Sequence, residues 1–206
     1  MNEYKIITIQ RFLFVFSAIL MLSVFAFTQE KQRVIEWTSV EGAPTGLESR
    51  GTGIPYTSSD IKGLELIEIK VAGKPITIGE SFVADDDWLK SLSVKVKNTS
   101  GKQISSIRIS FSLPEAKYKE GTLGFSFTYG HQLATNLGKD FSAEEKTIMP
   151  DETIELKQDE KSYNNLLNFM KKRSELTNFK AIKITNAQVV FVDGLNWMTF
   201  KMPIAK

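Results

Sequence analysis

Apolar and polar residues alternate through most of this chain, and that alternation predicts strands. Leu92, Val94 and Val96 alternate with Ser93, Lys95 and Lys97. Ile107, Ile109, Phe111 and Leu113 alternate with Arg108, Ser110 and Ser112. Between the two runs lies the turn cluster Asn98, Thr99, Ser100 and Gly101. Period-two patterning on both sides of a turn predicts an antiparallel hairpin with one buried face, ended by Pro114. Leu123, Phe125, Phe127 and Tyr129 repeat the pattern after Gly121. Val34–Val40, Leu64–Val71, Ile76–Ile78 and the Ile154/Leu156 region read as further strands. In Leu64–Val71 the apolar set changes parity at Leu66 and Ile67, which predicts a bulge. Ala181–Val192 and Leu195–Met202 form a second expected hairpin, with Asp193 and Gly194 suited to a type I′ turn.

Two segments depart from this period. Tyr163, Leu166, Leu167 and Met170 recur at i, i+3, i+4 and i+7, one face of an amphipathic helix that Asp159 or Ser162 would cap. Lys171, Lys172 and Arg173 then sit where cations meet the negative end of the helix dipole. Phe12–Phe27 is apolar all round, with Lys5 and Arg11 before it. As a helix its roughly 16 residues span about 24 Å, less than the ~30 Å of a bilayer core. It reads as a secretory signal cleaved after Ala26, or as an uncleaved N-terminal anchor touching the membrane through residues 6–27. Both readings place the rest of the chain in the periplasm or outside the cell.

The expected organisation is a signal or anchor over 1–26, a first strand and Gly/Pro-rich arm over 27–60, and a β domain over 61–206. Strands with tight turns predict antiparallel pairing. The expected fold is mainly β: a two-sheet sandwich, immunoglobulin-like in the broad sense, with one late helix and a detached N-terminal helix. A barrel is the alternative.

Composition narrows the chemistry. The chain has no cysteine and one histidine among 206 residues, which removes disulfides, thiol nucleophiles and thiolate metal sites. Its charge is +2, from 26 basic and 24 acidic side chains. Such a surface does not concentrate phosphates, so nucleic acid is not an expected partner. Neither a metal nor an organic cofactor is expected.

The segment from Trp88 to Ile104, with its phrase Val96-Lys97-Asn98 before Ser100-Gly101, resembles segments of exported bacterial proteins, as does Val190 to Trp197. The resemblance implies a sandwich fold and a bacterial envelope setting. It brings no activity and no functional residue.

Candidate chemistry is therefore sparse. Asp85, Asp86 and Asp87 are the densest acidic cluster, with oxygen ligands of the kind calcium takes. Consecutive carboxylates on an extended chain point in different directions, so a solvated turn is the competing reading. Trp88 is the tryptophan best placed to be exposed beside them, with packing in or at the edge of the core as the competing reading for all three tryptophans. Tyr129 and His131 stand at the end of a predicted strand, where a loop begins. These six residues are the candidate binding surface, because loops on a rigid sandwich usually carry its contacts. No catalytic residue is assigned. Asn98-Thr99-Ser100 matches a glycosylation sequon and is read as a chance match. The leading expectation is a non-catalytic exported domain that binds a protein or envelope component. The alternatives are a glycan-binding module built on exposed tryptophans and a hydrolase built on paired carboxylates.

Overall fold

The computed structural model describes residues 31–38, 47–50, 54–57, 63–130, 146–174, 176, 178–199, 202, 204 and 205. The expected N-terminal helix lies outside them. Gln32–Lys206 is one compact unit. Its strands are β1 (Gln32–Trp37), β2 (Leu47–Arg50), β3 (Ile54–Thr57), β4 (Leu64–Val71), β5 (Lys74–Pro75), β6 (Ser81–Val83), β7 (Ser93–Asn98), β8 (Ile104–Tyr118), β9 (Gly121–Gly130), β10 (Thr153–Lys157), β11 (Ala181–Phe191) and β12 (Leu195–Thr199). A 3₁₀ turn spans Trp88–Ser91, and the helix α1 spans Glu160–Ser174. Among the described residues the fold is mainly β, with two sheets and one helix.

The eight-stranded sheet is organised around β11. One edge of β11 pairs with β8, and β8 with β9, both antiparallel. Its other edge is shared by β1, from Val34 opposite Ala181, and by β12, from Ala187 opposite Thr199. The outer flanks are β6 beside β1 and the β2–β3 hairpin beside β12. The four-stranded sheet runs β10-β7-β4-β5. Buried side chains of both sheets and of α1 belong to one apolar cluster, including Ile69 and Val94 from one sheet and Ile109 and Val189 from the other.

Several expectations are met. The bulge in β4 falls between Leu66 and Glu68, where the parity changes. Helix α1 buries Tyr163, Leu166 and Met170 and ends in the basic triplet. Asp159 caps it, accepting the Ser162 amide at 2.7 Å and the Ser162 hydroxyl at 3.0 Å. These bonds, the backbone one first, hold the Asp159 carboxyl below its ordinary value of 3.8.

The central hairpin is a correction. Leu92, Val94, Val96, Ile107, Ile109, Phe111 and Leu113 are all buried, as expected. Yet β7 and β8 do not pair: β7 lies between β4 and β10, whereas β8 lies between β11 and β9. Period-two patterning reports which face is buried, not which strand is the neighbour. Here the chain arches from one sheet to the other.

Asn98 makes that arch. It is 1% exposed. Its Oδ1 accepts the Ser100 amide at 3.0 Å and the Ser100 hydroxyl at 2.6 Å, an Asx turn. Its Nδ2 donates to the carbonyls of Lys102, Ile148 and Met149 at 2.9, 3.2 and 3.1 Å. Its own backbone bonds Glu152 and Asp151. An amide this enclosed leaves no room for a glycan, so the sequon is a turn motif.

Other differences have local causes. Pairing is not wholly antiparallel, since β1 lies parallel to β11. The two are almost a domain apart in sequence, a separation that lets strands run in either direction. Pro114 does not end β8. The β8–β9 register shifts between Leu113 and Lys117, so the proline's missing N–H falls at an irregularity. Ile76–Ile78 is not a strand. Ala72 and Gly73 instead reverse the chain, both at positive φ as a type I′ turn requires, into the short β5. At the last hairpin only Gly194 has positive φ, with its amide on the Phe191 carbonyl at 2.9 Å. That is a three-residue loop closed by a left-handed glycine, not type I′. The 27–60 arm contributes β2 and β3.

Asn98→Ala removes every bond that the Asn98 side chain makes across the arch and strands buried carbonyls. Urea denaturation should show a loss of about 2–4 kcal/mol. Asn98→Asp should also destabilise, because a carboxylate has no N–H for those carbonyls. Asp159→Ala should lower the melting temperature at pH 7. A carboxyl depressed on folding stabilises above its unfolded value, and that gain fades as pH falls through the folded value. The gap between wild type and Asp159→Ala should therefore close as pH falls below about 4, followed by thermal melts.

Candidate functional site

The acid triplet follows β6 and leads into the 3₁₀ turn, and its three carboxylates diverge. Asp86 accepts Nη2 of Arg33 at 2.8 Å and also the side-chain amide of Asn178. Asp87 is near enough to the Tyr163 hydroxyl of α1 to add to the upward shift that burial imposes on it. Asp85 is exposed, and its backbone carbonyl lies 3.5 Å from Nη2 of Arg33. Among the described residues no three His, Asp or Glu side chains gather as metal ligands.

Arg33 explains where Asp86 is held. It alternates with Ile35 on the inner face of β1 and is 2% exposed, while the Asp86 side chain is 50% exposed. A buried guanidinium needs a counter-charge, and Asp86 supplies it from the adjacent loop. Arg33 Nε is buried with no acceptor among the described residues, so this ion pair carries more than its usual share.

Trp88 is not an exposed platform; it takes the competing reading, core packing. It is 2% exposed, and its Nε1 donates to the Phe179 carbonyl at 2.8 Å. Phe82 of β6 meets its ring edge-on at 5.4 Å. A ring this large gains more by burial than by waiting at a surface. The start of β11 receives more than Trp88. Glu115 of β8 accepts the amides of Lys180 and Ala181 at 2.9 and 3.1 Å, and Val34 donates to the Lys180 carbonyl at 2.9 Å. Asp85–Trp88 is thus part of a structural joint binding β1, β6, β8 and β11. Trp197 is buried too, over Gly63, where an added Cβ would meet the indole at 2.6 Å. Trp37 is half-buried.

Tyr129 is half-buried near the end of β9, and His131 lies outside the described residues. The registers place Tyr129 opposite Ile107, and Ile107 opposite Val189. Trp88 is bonded beyond the other end of β11, at Phe179. From Phe179 to Val189 the chain runs roughly 30 Å at about 3.3 Å per residue. Tyr129 and the Trp88 joint therefore lie toward opposite ends of β11.

The surface feature that sequence reading passed over is the outer edge of β9. This strand has 10 residues, Gly-Thr-Leu-Gly-Phe-Ser-Phe-Thr-Tyr-Gly, with no charge and no proline. It pairs only with β8 among the described residues. Leu123 and Phe127 are buried, Phe125 and Tyr129 are half-buried on the same face, and Thr122, Gly124, Ser126 and Thr128 are exposed on the other. Phe125 stacks on Phe111 at 4.8 Å. Glycine fits the strand to β8: a Cβ on Gly124 would meet the Phe111 carbonyl oxygen. Every other flanking strand carries a feature that blunts an edge. Strand β10 presents Glu155 and Lys157, β3 contains Pro55, and β5 and β6 have 2 and 3 residues.

No protein-family model, no curated protein and no solved structure matches this chain. No helix among the described residues is long and apolar enough to cross a membrane.

Removing the counter-charge should cost more than removing the pair. Asp86→Ala should lose about 1–3 kcal/mol in urea denaturation, since Arg33 stays buried. Arg33→Met with Asp86→Ala should recover most of that loss. Trp88→Ala should cost about 3–5 kcal/mol, far more than an exposed binding residue would.

Proposed function

We propose that the chain is an exported bacterial envelope protein whose two sheets pack as a β-sandwich, immunoglobulin-like in the broad sense, and that it binds a protein partner by strand addition along β9. The observation that carries this reading is the long, uncharged edge of β9. A strand edge holds unpaired N–H and C=O groups that add another extended chain by main-chain hydrogen bonds. Side chains alternate across that edge, so an incoming strand meets apolar groups on one face and small polar groups on the other. The single buried cluster drawn from both sheets supports the sandwich. The apolar run Phe12–Phe27 behind Lys5 and Arg11 supports export.

Both parts of the reading are directly testable. In the native host, mass spectrometry should find the chain outside the cytoplasm, either starting near Phe27 or intact and membrane-bound. Soluble full-length chain in the cytosol would refute export. A photo-crosslinking amino acid at position 126 or 128 should give discrete adducts, and at position 153 on β10 it should not. Equal labelling at all three positions would refute recognition through β9.

A further inference from the structure

Resting on strand addition at β9, we infer that the added strand is β9 of a second copy of this chain, paired antiparallel about a two-fold axis at Ser126. A self-pairing strand must satisfy three conditions, and β9 meets each.

The first condition is charge. In a two-fold antiparallel pair, residues near the axis meet copies of themselves or of close neighbours, so like charges would oppose one another. Strand β9 has none, whereas β10 carries Glu155 and Lys157.

The second condition is parity. An axis on a residue pairs positions of the same parity, so inner face meets inner face. An axis between residues would set buried positions against exposed ones.

The third condition is burial, and it selects the residue. About Ser126, Phe125 faces Phe127 of the other copy and Tyr129 faces Leu123, so both half-buried aromatics gain an apolar neighbour. On the outer face Gly124 meets Thr128, and Ser126 meets Ser126. An axis on Phe125 would instead leave Tyr129 opposite Gly121, with no side chain to cover it. An axis on Phe127 would set Phe125 opposite Tyr129 but pair only Gly124–Gly130, whereas the axis on Ser126 pairs Thr122–Gly130. The aromatic pairs fall in the class that stabilises cross-strand neighbours most.

The chain has no cysteine, so single substitutions report the register cleanly. Directly opposed residues place Cβ atoms about 4.5–5.5 Å apart, close enough for a disulfide to form with little adjustment. Ser126→Cys in the full chain should form a disulfide-linked dimer under mild oxidation at micromolar concentration. Thr128→Cys should not, because the two copies of that position lie about 13 Å apart along the strands. Sedimentation of the wild type should show a concentration-dependent dimer. Ser126→Lys, which opposes two ammonium groups at the axis, should weaken it by about tenfold or more. Equal cross-linking of both cysteine variants, or a wild-type monomer up to high micromolar concentration, would overturn the inference. So would hydrogen exchange showing every β9 amide protected in the dilute monomer, since the edge would then be covered within one chain. Photo-adducts from position 126 to a different polypeptide, without the Ser126→Cys dimer, would refute self-pairing while leaving strand addition standing.

Discussion

The arch at Asn98 is the constraint on which the two-sheet arrangement depends. A chain leaving one sheet for another must satisfy its backbone groups during the crossing, where no ladder is present to do so. Asn98 supplies both halves of that requirement from one buried amide. Its oxygen holds the turn at Ser100, and its nitrogen reaches carbonyls on the returning segment before β10. Ile104 and Ile148 then exchange two backbone bonds directly beyond it. The residues around Asn98 thereby fix where β7 ends, where β8 begins and how β10 returns to β7. A hairpin turn would have placed β7 and β8 in one sheet, and the four-stranded sheet would have lost one of its two central strands.

A second tie acts on the start of β11. Trp88, Glu115 and Val34 converge on Phe179, Lys180 and Ala181 from three separate elements. The first strand of the unit is thereby set parallel to β11, whose other end pairs with β12. Burial of Arg33 follows from the same geometry. Its position on the inner face of β1 puts a charge below the surface, and the 85–87 loop is drawn in to neutralise it. The acid triplet is conspicuous in composition, yet one of its members works as a counter-ion and the three do not converge.

Much of the fold is legible residue by residue, because burial leaves a local trace. The parity change at Leu66 and Ile67 marks the bulge, the spacing of Tyr163, Leu166 and Met170 marks the helix, and seven alternating positions are all core. Partner choice leaves no such trace. The strand after Asn98 reads identically whether it pairs with β7 or faces it across the core. The parallel pairing of β1 with β11 depends on residues far apart in the chain. Burial of Trp88 depends on a carbonyl at Phe179 that no local pattern announces. Arg33 had a usable signal, its shared parity with Ile35, although it sits among the polar residues that follow the apolar run.

The same distinction explains why chemically distinctive residues pointed away from the edge. Histidine, acid triplets and tryptophan stand out by rarity, and rarity directs attention to side chains. Strand addition relies on main-chain groups, which every residue has, so its site is set by sheet order and not by residue type. What sequence does record is the absence of protection. Strands at the flanks of these sheets are short, interrupted by proline or charged, and β9 is none of these. That contrast becomes visible only once β8 and β9 are known to close one side of the eight-stranded sheet. Among the described residues no second strand pairs with β9, and an open edge of this length exposes a chain to indiscriminate pairing. A symmetric partner relieves that liability, because one interface closes both edges and leaves none to propagate.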